Sequence, residues 1–461
     1  MKVTMDSMLR VTEATPAILK KIKQDLTIKN PEYQKKRAMG LPLWGCSKEI
    51  KLWEEKDGTL ILPRGFARRL WLIEKFECDD KRLTLPEIDY NSSIQLRDYQ
   101  APAIEAIKKA KQGVLNMPFG AGKTETGLGV LAELKQPALW LTHTKDLLNQ
   151  SLERAKARLN LQPGEYGIIA ADEFSIGTHI TFAMIQTLAN RDLNLLHILN
   201  QFGAIVIDEC HHVYKNANSV AQFYSVISQF PAKYRIGLTA TAHRADGLID
   251  TMFHTIGPII YQVQQETLNT AGNVIVPTVE IINTDFVLLT EEPDPNKRFR
   301  IMLNQMQVDT KRNEAILTVM KRNKAQFNLV LGDGLDHLQQ LKEKLNANSA
   351  FVCGQTPKKE REKIMEDVKA GKYNYLFATY GLAKEGLDVP QLNRLYLTTP
   401  KRDKTTIQQA VGRIARKSEG KTDAIVYDFI DIKIGTCNRQ AAERKKVYKS
   451  IGCQIKIEGK K

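Results

Sequence analysis

Leu115–Val130 reads LNMPFGAGKTETGLGV, and the order of residue types in it decides how the surrounding chain folds. An apolar run ends in a turn built on Gly120, Ala121 and Gly122, and Lys123 and Thr124 then open a run of helix formers. Glycines at such a turn let the backbone bend sharply and point its amides inward. Those amides, with the N-terminus of the helix that follows, form a cradle for phosphate oxygens. Lys123 is placed to neutralise the β- and γ-phosphates of a nucleoside triphosphate, and Thr124 to hold Mg²⁺ through its hydroxyl. The strict expression GxxxxGK[ST] asks for glycine where this chain has Met117. A Gly-rich turn that merely carries Lys-Thr is the competing reading.

The next informative stretch is Phe202–Val213, FGAIVIDECHHV, an apolar strand ending in Asp208 and Glu209. The carboxyl ends of strands are where α/β sheets bind ligands. Asp208 can hold Mg²⁺ directly or through water. Glu209 is then placed to polarise an attacking water, which hydrolysis needs and simple nucleotide binding does not. Cys210, His211 and His212 invite a metal reading. It is rejected, because adjacent residues project in different directions and no second ligand cluster exists.

Working outward, continuous apolar runs recur between amphipathic segments: QPALWLT, HITFAMI and YRIGLTA near these motifs, then FNLVLGD, YNYLFAT, RLYLTT and DAIVYDF. Such runs mean strands covered on both faces, hence parallel α/β sheets, and the pattern occurs twice. The expected organisation is a small α+β N-terminal accessory (DNA-contact) domain over 1–91 and a first α/β domain over 92–262. An inter-domain insert or linker over 263–323, a second α/β domain over 324–432 and a basic tail over 433–461 follow. In the first region PAILKKIKQDL, starting at Pro16, reads as a helix. EIKLWEE and TLILPRGF, separated by KDG, read as a hairpin. Basic residues cluster there at Lys35, Lys36 and Arg37 and at Arg64, Arg68 and Arg69, either as a solvated face or as DNA contacts.

With 461 residues the chain is long enough for about three cores. Its 67 Lys and Arg against 52 Asp and Glu leave a net charge of +15. That excess suits a phosphate-rich partner, although solubility alone could explain it. The six cysteines form no CxxC pair and no zinc-ligand spacing, so they read as reduced thiols in a cytoplasmic protein. No apolar run is long enough to cross a bilayer, and no membrane partner is expected.

The two motifs resemble the Walker A and DExH boxes of superfamily 2 helicases. The resemblance runs from Gln95 to about Ile432. LRDYQ (Leu96–Gln100) is similar to the short motif preceding the phosphate loop in the XPB-like and UvsW-like branch. THTKDLLNQ (Thr142–Gln150) resembles motif Ia, and TFAMIQTLAN from Thr181 resembles the strand and turn lining the nucleic-acid path. GLTATAHRADG carries motif III at Thr239, Ala240 and Thr241. ATYGLAKEGLDVP from Ala378 resembles motif V, and QQAVGRIAR from Gln408 resembles the QxxGRxxR motif VI. His143 stands where many relatives have proline. Arg244-Ala245-Asp246 resembles an Arg-Glu-Asp element with alanine in place of the glutamate, so that glutamate's role does not carry over.

The resemblance implies two tandem RecA-like parallel-sheet domains with ATP and Mg²⁺ between them. The first domain contributes Gly120, Ala121, Gly122, Lys123, Thr124, Asp208 and Glu209. The second contributes Gln409, Asp388 and the arginine fingers Arg413 and Arg416, whose planar forks suit phosphate oxygens. Gln100 is the candidate for contacting adenine, since an amide donates to and accepts from one base edge. Thr239, Thr241, Gly386 and Asp388 are candidates for linking nucleotide to track. Thr142, Thr187 and Thr379 are expected on the nucleic acid, as are Lys297, Arg298 and Arg300 of the insert. The Phe299, Met302, Leu303, Met306 stripe beside them reads as buried core at helical spacing. The function expected is an ATP-dependent DNA helicase or translocase acting on single-stranded or branched duplex DNA in fork regression, branch migration or unwinding. An RNA helicase is the alternative. The compact size suits a phage-encoded enzyme working in the host cytoplasm.

Overall fold

The computed structural model describes residues 1–190, 196–214, 222–241, 247–270, 272, 274–385, 387 and 389–457. The chain divides into two compact units, Met1–Pro118 with Gly122–Val263, and Phe119–Ala121 with Gln264–Lys461.

Besides a two-stranded sheet, Thr27–Lys29 against Glu49–Lys51, the first unit holds two larger ones. The larger has seven strands, all parallel, in the order Tyr166–Ile169, Ile180–Met184, Ala138–Thr142, Ala204–Ile207, Tyr234–Thr239, Gln112–Asn116, Ile259–Gln262. Ala204–Ile207 is buried at every position, as its unbroken apolar run requires. The smaller sheet belongs to the N-terminal domain and is mixed: four antiparallel-linked strands, with Cys78–Asp80 added in parallel beside Lys2–Met5. The KDG hairpin forms as read. Lys56 faces Thr59 across Asp57 and Gly58, which both take positive φ, the two-residue turn that matches strand twist. The helix read at Pro16 runs Pro16–Asp25 behind a Thr15 cap.

Two arginines with no exposed surface join the N-terminal domain to the seven-stranded sheet. Arg64 donates to the carbonyls of Asp6 (3.3 Å) and Ala232 (2.7 Å). Arg235 donates to Thr255 (2.9 Å), Ser7 (3.1 Å), Ile227 (3.0 Å) and Phe230 (3.1 Å). Among the described residues neither meets a carboxylate at ion-pair distance; backbone carbonyls accept from both, while Arg64 Nε and Nη2 and Arg235 Nε find no partner there. Burial pushes the Arg235 guanidinium down to about 9, so it stays protonated at neutral pH. Arg64 was read from sequence as part of a basic surface cluster. Buried completely, it cannot meet DNA, and Arg69 of the same cluster is paired with Asp25 (2.9 Å). Gly65 lies so close to the end of helix Ile249–Ile256 that a Cβ there would stand 2.4 Å from the Phe253 carbonyl oxygen.

The second unit is again a seven-stranded parallel sheet: Ser349–Val352, Tyr375–Thr379, Asn328–Gly332, Arg394–Leu397, Ile425–Asp431, Thr278–Thr284, Gln454–Ile457. This corrects two boundaries drawn from the sequence. The segment 263–323 is no free insert, because Thr278–Thr284 pairs along its length with Ile425–Asp431. The residues after 433 are no tail. Helix Gly435–Ser450 sends Arg444 into the core onto Asp428 (2.8 Å), which Tyr448 also meets (2.8 Å), and Gln454–Ile457 completes the sheet. Asp431, on the same strand as Asp428, holds Arg312 (2.7 Å) with neither side chain exposed.

Replacing Arg235 with Met leaves four carbonyls without their donor. The expected loss is roughly 3 kcal/mol of stability, read as a lower guanidinium midpoint, with both larger sheets of the first unit unfolding in one transition. An unchanged midpoint would show that the docking does not depend on this residue.

Candidate active site

Three adjacent strands deliver the site of the first unit. Gln112–Asn116 leads through the glycine turn into helix Lys123–Leu134. Ala204–Ile207 ends at Asp208 and Glu209. Tyr234–Thr239 lies between them. Gly120 and Gly122 have φ of +84° and +75°, as the turn demands, and Thr124 stands half-buried in the first helical turn. Ala121 is buried.

Lys123 Nζ is 3.6 Å from Glu209 Oε1, with both side chains largely shielded from water. Asp208 accepts the Glu209 amide proton at 2.9 Å, while Glu209 itself takes left-handed backbone angles, φ +47°. That conformation is costly for a residue with a Cβ and turns the carboxylate off the strand axis. His211 Nδ1 stands 3.3 Å from Glu209 Oε2 and 3.1 Å from Thr239 Oγ1. The Thr239 hydroxyl donates to the Thr241 carbonyl (2.9 Å) and accepts the Thr241 amide proton (3.1 Å). His211 Nδ1 is within hydrogen-bond distance of Thr239, with donor and acceptor set by the tautomer of the ring. His211, dismissed as a metal ligand in the sequence, thus connects the carboxylate to the Thr-Ala-Thr turn.

Burial, and then the neighbouring charge of Glu209, pushes Asp208 up to about 6 against the pull of Lys123. Burial also works to raise Glu209, but the ammonium of Lys123, with His211 close by, outweighs it and holds this carboxyl well below the usual range. Two adjacent acids facing one ammonium leave negative charge uncompensated. A divalent cation beside Asp208 and the Thr124 hydroxyl fits that donor set.

Gln100 does not face outward as an adenine reader would. It is buried, and its amide gives both hydrogens away inside the protein, to Thr126 Oγ1 (2.9 Å) and the Gly122 carbonyl (3.2 Å). Its oxygen accepts from the Arg97 amide (2.9 Å). Here it clamps the phosphate turn to the segment before it. Thr142 is likewise corrected. It is fully buried, its hydroxyl directed at the Thr144 carbonyl (3.4 Å) and Met184 Sδ (3.9 Å), and so offers nothing to a phosphate. Thr187, on helix Ile185–Asn190, remains half-buried.

In the second unit Gln409 and Arg413 lie on helix Lys404–Ile414, with Arg416 just beyond it. Arg413 Nε donates to the Ala383 carbonyl (3.2 Å). Gln409 is buried and its Oε1 accepts no hydrogen bond among the described residues. Thr379 ends strand Tyr375–Thr379, half-buried. Gly386, Asp388 and Arg244–Asp246 lie outside the described residues. Sequence reading missed Lys421, whose ammonium donates to the carbonyls of Arg416 (2.8 Å), Pro390 (3.1 Å) and Leu392 (2.5 Å). It ties the end of motif VI to the end of motif V. No motif signals it, because its partners are backbone atoms. Lys297, Arg298 and Arg300 are exposed on helix Pro295–Val308, whose opposite stripe buries Met302 and Met306 against Phe286 and Cys437.

Sequence comparison agrees with this geometry. Residues 93–244 match the family described as "Type III restriction enzyme, res subunit", and residues 297–418 match "Helicase conserved C-terminal domain". The chain belongs to the superfamily 2 helicases, with XPB-like relatives, and is an ATP-dependent nucleic-acid helicase. It is similar to the DNA 3'-5' translocase XPB2 of Sulfurisphaera tokodaii, 27% identical over 424 residues, covering 82% of this chain and 91% of that one. It is also similar to L396 of Acanthamoeba polyphaga mimivirus, assigned as an ATP-dependent RNA helicase, 28% identical over 381 residues, 79% of this chain and 69% of that one. The fold is shared with the ATP-dependent Type ISP restriction-modification enzyme LlaBIII bound to DNA. That match has a TM-score of 0.60 and 16% identity, covering 79% of this chain and 31% of that one. Among the described residues no helix is long and apolar enough to cross a membrane.

Substituting Gln100 by Ala distinguishes clamp from base reader. A clamp holds the phosphate turn whatever base is attached, so the KM for ATP and for GTP should rise by the same factor. A rise confined to ATP would restore the adenine assignment.

Proposed function

We propose that this motor is a DNA helicase or translocase that remodels branched DNA by fork regression, branch migration or unwinding, in DNA replication, recombination or repair in the cytoplasm. The observation that carries the ATPase half of this reading is the buried Lys123–Glu209 contact flanked by Asp208 and His211. DNA as the track is supported by the similarity to a DNA translocase. The RNA reading is kept alive by L396.

In this mechanism the turn at Gly120–Gly122 and Lys123 bind the triphosphate. Thr124 and Asp208 would hold Mg²⁺, which screens the charge of the β- and γ-phosphates. Glu209, kept ionised by Lys123 and His211, orients the attacking water and receives its proton. Arg413 and Arg416 supply positive charge to the γ-phosphate as the bond to it breaks, and Gln409 supports them. Lys421 is a positioning residue, fixing the backbone from which Arg416 projects. Thr239 and Thr241 relay occupancy of the site toward the nucleic acid, and Thr187 and Thr379 are proposed on its path. The exposed Lys297, Arg298 and Arg300 contact its phosphates.

Comparing ATPase stimulation by single-stranded DNA, duplex, forked DNA, four-way junctions and RNA tests the substrate. Stimulation by RNA alone would overturn the DNA reading. Lys123→Ala should abolish turnover, and Glu209→Gln should bind ATP and remain locked on DNA without hydrolysing it; normal turnover in either refutes its role. Arg416→Ala should lower kcat with little change in ATP affinity, because such an arginine acts chiefly in the transition state. Lys421→Met should lower kcat in the same sense by roughly tenfold, and Lys421→Arg should recover part of it. Removing Lys297, Arg298 and Arg300 together should weaken DNA binding irrespective of sequence and flatten its salt dependence. An unchanged salt slope would leave that helix without a role on DNA.

A further inference from the structure

The N-terminal domain carries an apolar tip that the ATPase chemistry does not use. Between helix Pro31–Ala38 and strand Glu49–Lys51 the chain reads MGLPLWGCSK, Met39–Lys48. Trp44 is 97% exposed, Met39 53% and Leu41 49%. The backbone beneath them is hydrogen-bonded at both ends. Helix Pro31–Ala38 closes with the Leu41 amide on the Lys36 carbonyl (2.9 Å) and the Gly40 amide on the Arg37 carbonyl (3.2 Å). On the other side the Cys46 amide bonds the Leu43 carbonyl (3.0 Å), with Gly45 at φ +70°. That is a tight turn with Trp44 at its apex. Its base is fixed by Asn30, whose side-chain amide donates to the Ser47 carbonyl (2.7 Å) and whose backbone amide donates to the Lys48 carbonyl (3.0 Å), and by the buried Cys46. A built turn therefore holds a large aromatic ring in water.

The surroundings identify what the ring meets. Lys35 and Arg37, in the last turn of the helix, and Lys48, just past the tip, are all exposed. Glu32, the helix's acid, is already paired with Lys36 (2.9 Å), and Glu49 follows on the strand. An exposed aromatic ring with exposed cations on either side of it in the chain is the composition that holds unpaired nucleotides: lysines and arginines follow the phosphates while the ring stacks on a base of any identity. A paired base offers no open face, so such a tip selects single strands. The helix beside it buries none of its residues and has no apolar stripe with which to lie in a bilayer.

We propose that Trp44 stacks on an unpaired base of the DNA on which the motor acts, with Lys35, Arg37 and Lys48 holding the adjoining phosphates. The N-terminal domain is thereby a single-strand contact at a fork or junction. This rests on the DNA reading above.

The test uses the full chain with Trp71→Phe as background, because Trp71 is the other well-exposed tryptophan. Binding of a thymidine oligonucleotide of about 15 residues should quench the tryptophan fluorescence. Trp44→Leu should remove that quenching and weaken binding of the oligonucleotide roughly tenfold, leave affinity for a blunt duplex unchanged and leave the melting midpoint where it was. Trp44→Phe should keep most of the affinity. Replacing Lys35, Arg37 and Lys48 with Gln should weaken single strand and duplex alike and lower the salt slope. Equal single-strand affinity in Trp44→Leu overturns the proposal, as does an equal loss on duplex, or quenching by phosphatidylglycerol vesicles in place of DNA. If the corresponding RNA binds better than DNA in every variant, the DNA reading fails while the effect of Trp44 persists, so the two failures are separable.

Discussion

Two acids in succession, Asp208 and Glu209, are buried at the end of one strand, and the ammonium of Lys123 is what makes that arrangement tolerable. At 3.6 Å the attraction is of order 4 kcal/mol before desolvation is subtracted. The contact can form only if the strand before the glycine turn and the strand before the acids lie almost side by side. Parallel pairing imposes this. Both strands are covered on both faces, both run the same way, and a single strand, Tyr234–Thr239, separates them. That intervening strand ends at Thr239, where His211 stands between its hydroxyl and the Glu209 carboxylate.

The second sheet repeats the topology but is held by different chemistry. Asp428 and Asp431 stand three residues apart on one strand, and each captures an arginine from a different helix, Arg444 and Arg312. Removing either partner would strand a charge in the core. The pairs explain why two segments that read as peripheral, one before the sheet and one after it, are part of it. The first unit instead joins its two larger sheets through arginines that donate to backbone carbonyls. Both devices bury a guanidinium, one against an acid and one against the backbone.

Much of the site was legible because catalytic residues follow strands of unmistakable apolar character. The glycine turn, the acid pair and motif VI were each found from a short run of residues. What escaped shares one physical cause: side chains bonded to backbone atoms leave no pattern of residue types. Lys421 is an unremarked lysine in the sequence, yet it meets three carbonyls. Gln100 and Thr142 were placed on ligands from their neighbours in sequence, whereas their polar atoms are spent within the protein. Arg64 looked like surface charge because sequence cannot tell a solvated arginine from one enclosed by carbonyls. The domain boundaries at 263 and 433 slipped for a related reason, since an acidic linker and a basic tail hide the short strands next to them.

Arg235 occupies the second position of the strand whose last residue is Thr239. One end of that strand is thus bolted to the N-terminal domain, through Ser7, and the other touches the carboxylate site, through His211. An extended strand hydrogen-bonded on both sides inside a sheet is among the stiffest elements a protein has along its own axis. Tension applied to the N-terminal domain therefore reaches Thr239 through one short connection, the Asp6–Ser7 turn that Arg235 grips, and then along the strand. In mechanical terms the strand is a strut, and the rate of ATP turnover in this motor should be sensitive to a load hung on its N-terminal domain.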